Sequence, residues 1–281
     1  LGFLIKSVHL FLYKLARNKK VIQLNVGIGK VESFINTFLL KYIFYKSDIS
    51  YLRDIKSYEF IKQLLPKKNI IYDKDLSYYY LNSNTSQYDE NKSTNSHIGL
   101  NFIDYYRYME FNEKSRDFFI KNMIDFITYL KNKGCKITIF PMQLDKGGFD
   151  NIITNEILKD FKPSDYNVFQ YINNLEAFHK ELNKVDICFG MRYHFTLIAI
   201  QNNIPCVGLS YQPKVNNTFL EYDIIDYKIE MKEINSLILI EKFEKLLNNI
   251  ESIKIKLNNK NKFLNNNKNK LENIFKANLN N

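Results

Sequence analysis

Apolar residues follow two alternating rhythms along this chain. Short runs rich in apolar residues at 21–24, 49–52 and 70–72 are separated by stretches, 31–45 and 56–65, where apolar positions return at helical spacing. The first rhythm predicts buried strands and the second amphipathic helices, and Pro66 closes the second helix. Residues 2–17 predict a further helix, with Leu4, Val8, Phe11, Leu12 and Leu15 on one face. Short strands alternating with helices define an α/β layer with a parallel sheet.

The rhythm lapses over residues 82–97 (NSNTSQYDENKSTNSH), where apolar side chains nearly vanish. It then resumes with a strand at 98–103, a helix at 113–132 stopped by Gly134, and a strand at 135–141. An irregular stretch at 142–165 follows, then a helix at 173–183, a strand at 185–190, a helix at 195–202 and a strand at 206–210. From 234 onward the chain reads as helical with Asn-rich interruptions. The pattern predicts an α/β domain over 1–84, a linker over 85–97, a second α/β domain over 98–226 and a helical Lys/Asn-rich tail over 227–281.

Composition changes this picture little. A hydrophobic fraction of 45% supports packed cores. The formal charge is +10, and residues 228–281 hold eleven Lys against six Glu. Arg-rich stripes and nucleic-acid-binding motifs are lacking, so the basic tail reads as a solvated helix face, and nucleic acid is the least favoured partner. Only five positions are Arg in a Lys-rich chain, which singles out Arg53, Arg107 and Arg192. Cys135, Cys188 and Cys206 lie in or beside apolar runs without CxxC spacing and are expected to be buried reduced thiols of a cytoplasmic protein. No apolar run is long enough to cross a bilayer.

Chemistry concentrates at Gly190-Met191-Arg192-Tyr193-His194-Phe195, where a buried strand gives way to a helix. Ligands of open α/β sheets bind at the carboxyl ends of strands, and helix N-termini favour anions. Arg192 offers a rigid fork of donors and His194 a group that titrates near neutrality. A purely architectural account is equally open at this stage: Arg192 would pair with Asp186 or a neighbouring helix while His194 caps its own. Downstream, the strand at 206–210 delivers Tyr211 and Lys214 to the same sheet edge. His97 reads as a solvated linker residue, His179 as a surface residue and His9 as part of the first helix. Their spacing predicts no metal centre. Lys146-Gly147-Gly148 reads as a flexible turn, with Asp145 and Asp150 beside it as potential contacts for sugar hydroxyls.

The run Gly-x-Arg-x-His before a helix, followed by x-Pro-x-x-x-x-Ser-Tyr-x-Pro-Lys over 204–214, resembles the polysaccharide pyruvyl transferase family. Earlier pieces fall in the same order. They are Gly27-Ile28-Gly29 after a strand, Leu52-Arg53-Asp54 with Ser57, Asp73 at a strand end and Ile98-Gly99-Leu100-Asn101. The usual Gly-Asn-x-Gly-Asp turn of the family does not occur before residue 21. The resemblance therefore implies two Rossmann-like domains facing across a cleft, as in glycosyltransferase-B enzymes, with a first domain that is N-terminally incomplete.

It further implies a transferase that moves the pyruvyl group of phosphoenolpyruvate onto a sugar of a surface polysaccharide or its lipid- or nucleotide-linked precursor. The acceptor would lie on the first domain and the donor on the second. On this reading His194 and Arg192 are catalytic. Lys214, Tyr211, Arg53, Gly27 and Gly29 bind substrate, with Arg53 alternatively paired to Asp54 or Glu59. No cofactor is required besides phosphoenolpyruvate as donor. The enzyme would be cytoplasmic, with peripheral association at the inner face of the membrane allowed. A nucleotide-sugar glycosyltransferase and a non-catalytic remnant of the family are the alternatives.

Overall fold

The computed structural model describes residues 20–29, 31, 33–73, 75, 96–108, 112–143, 149–170, 174–211 and 213–265. The helix expected over 2–17, with His9, and the Lys146-Gly147-Gly148 turn lie outside these residues, as does the linker apart from Ser96 and His97. The chain divides into two compact units, 1–80 and 81–281.

The first unit holds β1 (Ile22–Val26), α1 (Phe34–Lys46), β2 (Ile49–Leu52), α2 (Ile55–Leu64) and β3 (Ile70–Tyr72). The strands form a parallel sheet in the order β1-β2-β3. Its core is built from Leu40, Phe44, Leu52, Ile61 and Ile70. Asp54 caps α2 by accepting from the Ser57 amide at 2.9 Å, which satisfies one of the unpaired amides of the first turn.

The second unit contains β4 (His97–Asn101), α3 (Tyr105–Tyr108), α4 (Glu113–Asn132), β5 (Lys136–Ile139), α5 (Phe149–Leu158), β6 (Asn167–Val168) and α6 (Leu175–Leu182). These are followed by β7 (Ile187–Gly190), α7 (Tyr193–Gln201), β8 (Cys206–Ser210), α8 (Pro213–Glu221), β9 (Lys228–Glu230), α9 (Ser236–Asn248) and α10 (Ile250–Asn265). All six strands are parallel, in the order β6-β5-β4-β7-β8-β9. The chain thus winds outward from β4 in one direction, returns to the centre at β7, and winds outward in the other. Right-handed crossovers then put successive helices of the two halves on opposite faces. In accord with this, α4 packs with α5 and α9, while α7 packs with α8 and α10. β4, β7 and β8 are buried at every position, as expected for strands covered on both faces.

Four features depart from the sequence expectations. The stretch 142–165, expected to be irregular, contains α5. The segment from 227, expected as a separate tail, contributes β9 to the sheet and packs its helices within the second unit. His97 is no solvated linker residue: it opens β4, is buried, and brings its Nε2 within 2.8 Å of Thr138 Oγ1. His179 is half-buried on α6, with Nδ1 facing the Asn202 amide at 3.4 Å, so it is not a surface residue. Cys188 and Cys206 are register partners on β7 and β8, both free thiols and both buried.

Candidate functional site

The strand order places a topological switch point between β4 and β7, where the winding reverses; ligands of open α/β sheets bind at such points, beyond the strand ends. Asn101, the last residue of β4, is wholly buried there and is the register partner of Gly190. Its side chain donates to the Phe140 carbonyl at 2.8 Å and accepts from the Arg192 amide at 2.8 Å. One amide side chain thereby fixes the ends of β4, β5 and β7 to one another. Gly190 is required by packing: a Cβ there would lie 2.5 Å from Phe195 Cδ1 and 2.8 Å from Thr196 Cγ2. Its absence lets α7 begin directly over the strand end.

Arg192 is the N-cap residue of α7 and makes no side-chain cap bond to the helix. His194 sits inside the first turn and is therefore not the cap. Arg192 itself therefore supplies no side-chain acceptor to the first amides of α7. The guanidinium of Arg192 forks onto Asp150, with Nε to Oδ2 at 3.1 Å and Nη2 to Oδ1 at 2.5 Å, and Nη2 also donates to Gln143 Oε1 at 2.7 Å. The partner is thus Asp150 at the start of α5, not Asp186, which instead accepts from the His97 amide at 2.8 Å. Asp150 is wholly buried and also accepts from the Met142 and Gln143 amides at 3.1 and 3.2 Å. It is a structural anchor for Arg192 rather than a group free for sugar hydroxyls. Nη1 of Arg192 has no protein acceptor among the described residues, and the side chain is one-quarter exposed.

His194 is exposed on the first turn of α7, its ring centroid 5.0 Å from that of Tyr193 in an edge-on arrangement. β8 ends beside β7, since Gly190 and Gly208 are register partners. That pairing carries Tyr211 and the first turn of α8, with exposed Lys214, to the same edge of the sheet. Tyr211 is half-buried and meets the Tyr105 ring at 5.6 Å. Gly208 allows α8 its close approach, because a Cβ would lie 2.6 Å from the Phe219 ring.

The first unit holds Gly27, Gly29 and Arg53 at the ends of β1 and β2. Arg53 lies against Gly27, whose Cβ would stand 2.5 Å from Nε. It pairs with Asp75 at 3.1 Å, not with Asp54 or Glu59. Ser57 Oγ accepts from the Ile28 amide at 2.8 Å and donates to Asp54 at 2.7 Å, which ties the glycine turn to the start of α2. Gly29 is exposed with open space around it.

Three positioning residues, Asn101, Gln143 and Asp150, carry no local signal for their contacts with Arg192. Asn101 alone gave a hint, as the polar end of an apolar strand. Among the described residues, no three His, Cys, Asp or Glu side chains gather to hold a metal ion. Likewise no described helix is long and apolar enough to cross a membrane.

Solved structures share this architecture. A Listeria monocytogenes protein assigned as a UDP-N-acetylglucosamine 2-epimerase superposes with a TM-score of 0.59 at 15% identity, over 88% of this chain and 64% of its own. A mutant O-GlcNAc transferase from Thermobaculum terrenum does so with a TM-score of 0.54 at 8% identity, over 97% of this chain and 55% of its own. The chain therefore spans less than two thirds of the length of these structures, and at such identities they establish the fold alone. That fold is the Rossmann-like α/β architecture of the glycosyltransferase-B type. Comparison with curated protein sequences finds no match. The model of the polysaccharide pyruvyl transferase family matches residues 1–213, and the chain belongs to that family.

Proposed function

We propose that this chain transfers the pyruvyl group of phosphoenolpyruvate to a sugar of a surface polysaccharide or its precursor, forming a pyruvate ketal. The observation that carries the reading is the convergence at the switch point. Exposed His194 follows the anchored Arg192 at the end of β7, and exposed Lys214 follows the neighbouring β8, in a chain of this family.

Phosphoenolpyruvate carries a phosphate and a carboxylate on a small frame, so it needs convergent positive groups. The positive end of α7, Nη1 of Arg192 and the Lys214 ammonium supply them. Asp150 already neutralises much of the Arg192 charge, which shifts the electrostatic work toward Lys214 and the helix end. His194 protonates C3 of the enol, leaving C2 cationic. One sugar hydroxyl adds to C2 and returns its proton to the imidazole. The C2–O bond to phosphate then breaks, and a neighbouring hydroxyl closes the ketal while its proton leaves with inorganic phosphate. An imidazole can both give and take a proton, which suits both directions of transfer. Tyr211 would form one side of the site.

Calorimetric titration of phosphoenolpyruvate and of UDP into the wild type, Lys214→Ala and His194→Ala proteins tests this. Binding of phosphoenolpyruvate that weakens by about tenfold or more in Lys214→Ala is expected. In turnover, His194→Ala is expected to lose about 100-fold or more. UDP binding without phosphoenolpyruvate binding would overturn the reading in favour of a nucleotide-sugar enzyme.

A further inference from the structure

A cavity of about 500 Å³ lies next to Tyr211 within the second unit. Its walls include Tyr105 and Tyr106 after β4, Lys114 and Phe118 from the first turns of α4, and Met231 and Lys232 after β9. The Tyr105 ring, which lines the cavity, is the one in contact with Tyr211, so cavity and strand-end site share a wall. Met231 gives the cavity a buried apolar floor. Tyr105 and Tyr106 meet edge-on with centroids 5.1 Å apart.

Two features of this wall have no structural use. Phe118 is 53% exposed, although its neighbour Phe119 already occupies the core face of α4. Lys114 and Lys232 are exposed, and among the described residues neither has a carboxylate partner. The first turn of α4, a helix of 20 residues, adds its positive end, offset in part by the Glu113 carboxylate; the Asn112 side chain takes the Ser115 amide at 3.1 Å. Aromatic faces bind the apolar face of a sugar ring, while paired ammonium groups beside a helix start bind a phosphate. Phosphoenolpyruvate has no ring to stack, and the cavity is far larger than that molecule.

We propose that this cavity binds the glycosyl-phosphate portion of the acceptor, with the sugar on Tyr105, Tyr106 and Phe118 and the phosphate between Lys114 and Lys232. The proposal rests on the pyruvyl transferase reading for the identity of the bound sugar as acceptor. It places acceptor recognition on the second unit, where the sequence led us to expect only the donor. A nucleotide-linked and a prenyl-linked sugar both present this chemistry.

The test titrates glucose 1-phosphate, N-acetylglucosamine 1-phosphate, glucose and phosphoenolpyruvate into the full chain as wild type, as the Lys114→Gln/Lys232→Gln double variant and as Phe118→Ala. Because the three side chains are exposed, the variants are expected to melt like the wild type. A sugar phosphate should bind at least about tenfold more tightly than glucose, and should weaken by about tenfold or more in the double variant and in Phe118→Ala. Phosphoenolpyruvate binding should be unchanged in both variants. Failure of both sugar phosphates to bind a wild type that does bind phosphoenolpyruvate would overturn the proposal and leave the donor reading intact. Undiminished sugar-phosphate binding in the double variant would overturn it too, as would loss of phosphoenolpyruvate binding there. Lysine-dependent sugar-phosphate binding without phosphoenolpyruvate binding would uphold the cavity and remove the donor reading. Tighter, lysine-dependent binding of UDP-glucose would assign a nucleotide carrier and that of farnesyl phosphate a lipid one, each supporting the site.

Discussion

Asp150 grips the Nε–Nη2 edge of the Arg192 guanidinium, at 3.1 and 2.5 Å, from a position with no solvent exposure. The pair joins the start of α5 to the turn between β7 and α7 and leaves only part of the fork to a ligand. Removing one member of a buried pair strands the other, so Arg192→Ala should cost about 3–5 kcal/mol of stability in urea unfolding. Arg192→Lys keeps the charge but cannot hold Asp150, Gln143 and an anion together. We expect it to fold and to bind phosphoenolpyruvate about tenfold more weakly. Wild-type stability in Arg192→Ala would show that the pair is not formed.

Asn101 is the corresponding anchor on the backbone side. Asn101→Ala leaves the Phe140 carbonyl and the Arg192 amide without their partner in a buried place. A loss of about 2–4 kcal/mol is expected from urea midpoints. Ligand binding should fall further than in an equally destabilised variant of the α9–α4 contact, since Asn101 holds the Arg192 amide directly.

Gly190→Ala should be costly despite adding one methyl group. The new Cβ would sit 2.5 Å from the Phe195 ring and 2.8 Å from the Thr196 methyl, so α7 must shift. Overpacking of this kind costs about 1–3 kcal/mol. Thermal unfolding measures that cost, and a titration of phosphoenolpyruvate measures the accompanying displacement of the helix start.

Stability should fall on mild acidification. Burial, and secondarily Lys136, lowers the pKa of His97, with a hydrogen bond to the Lys184 backbone, Asp186 and Glu181 opposing; burial also lowers that of His179, opposed by its contact with Asn202. A base with a depressed folded pKa takes its proton first in the unfolded chain. The stability contributed by the neutral ring is therefore complete above the ordinary value of 6.5 and is lost as pH falls below it toward the folded pKa. Each histidine adds a slope of at most about 1.4 kcal/mol per pH unit in that window. Urea unfolding at about pH 5.5 and about pH 7.5 should show the loss in the wild type and a smaller loss in His97→Gln. Equal slopes in the two proteins would contradict a neutral buried His97.

Strands were legible where apolar residues cluster in a short run. β2, β3 and β8 stand at the residues the pattern predicts. β6 (Asn-Val) and β9 (Lys-Ile-Glu) carry a single apolar residue each, so no apolar run marks them. The run containing α5 was obscured by β-branched residues and by the polar turn before it. Arg192, His194 and Lys214 were visible because a strand end followed by a helix start is a local pattern. Their partners were not, since Asp150 lies 42 residues from Arg192. Asp186 was the nearer candidate by sequence, yet β7 runs between the two and sets them at opposite ends of that strand. His97 misled for the same reason in reverse: its polar neighbours precede it, while its burial comes from β5 and β7 on either side.

The adjacent thiols of Cys188 and Cys206 lie in the middle of the sheet, where burial raises both pKa values and no reagent reaches them. A thiol-modifying dye can label them only when the central strands separate. Half-exposed Cys135, at the start of β5, can react without such a separation. The protein therefore carries its own clock for opening of the sheet core: the slow labelling phase counts how often β7 and β8 part, and its acceleration in any variant reports on the same strands that position the site.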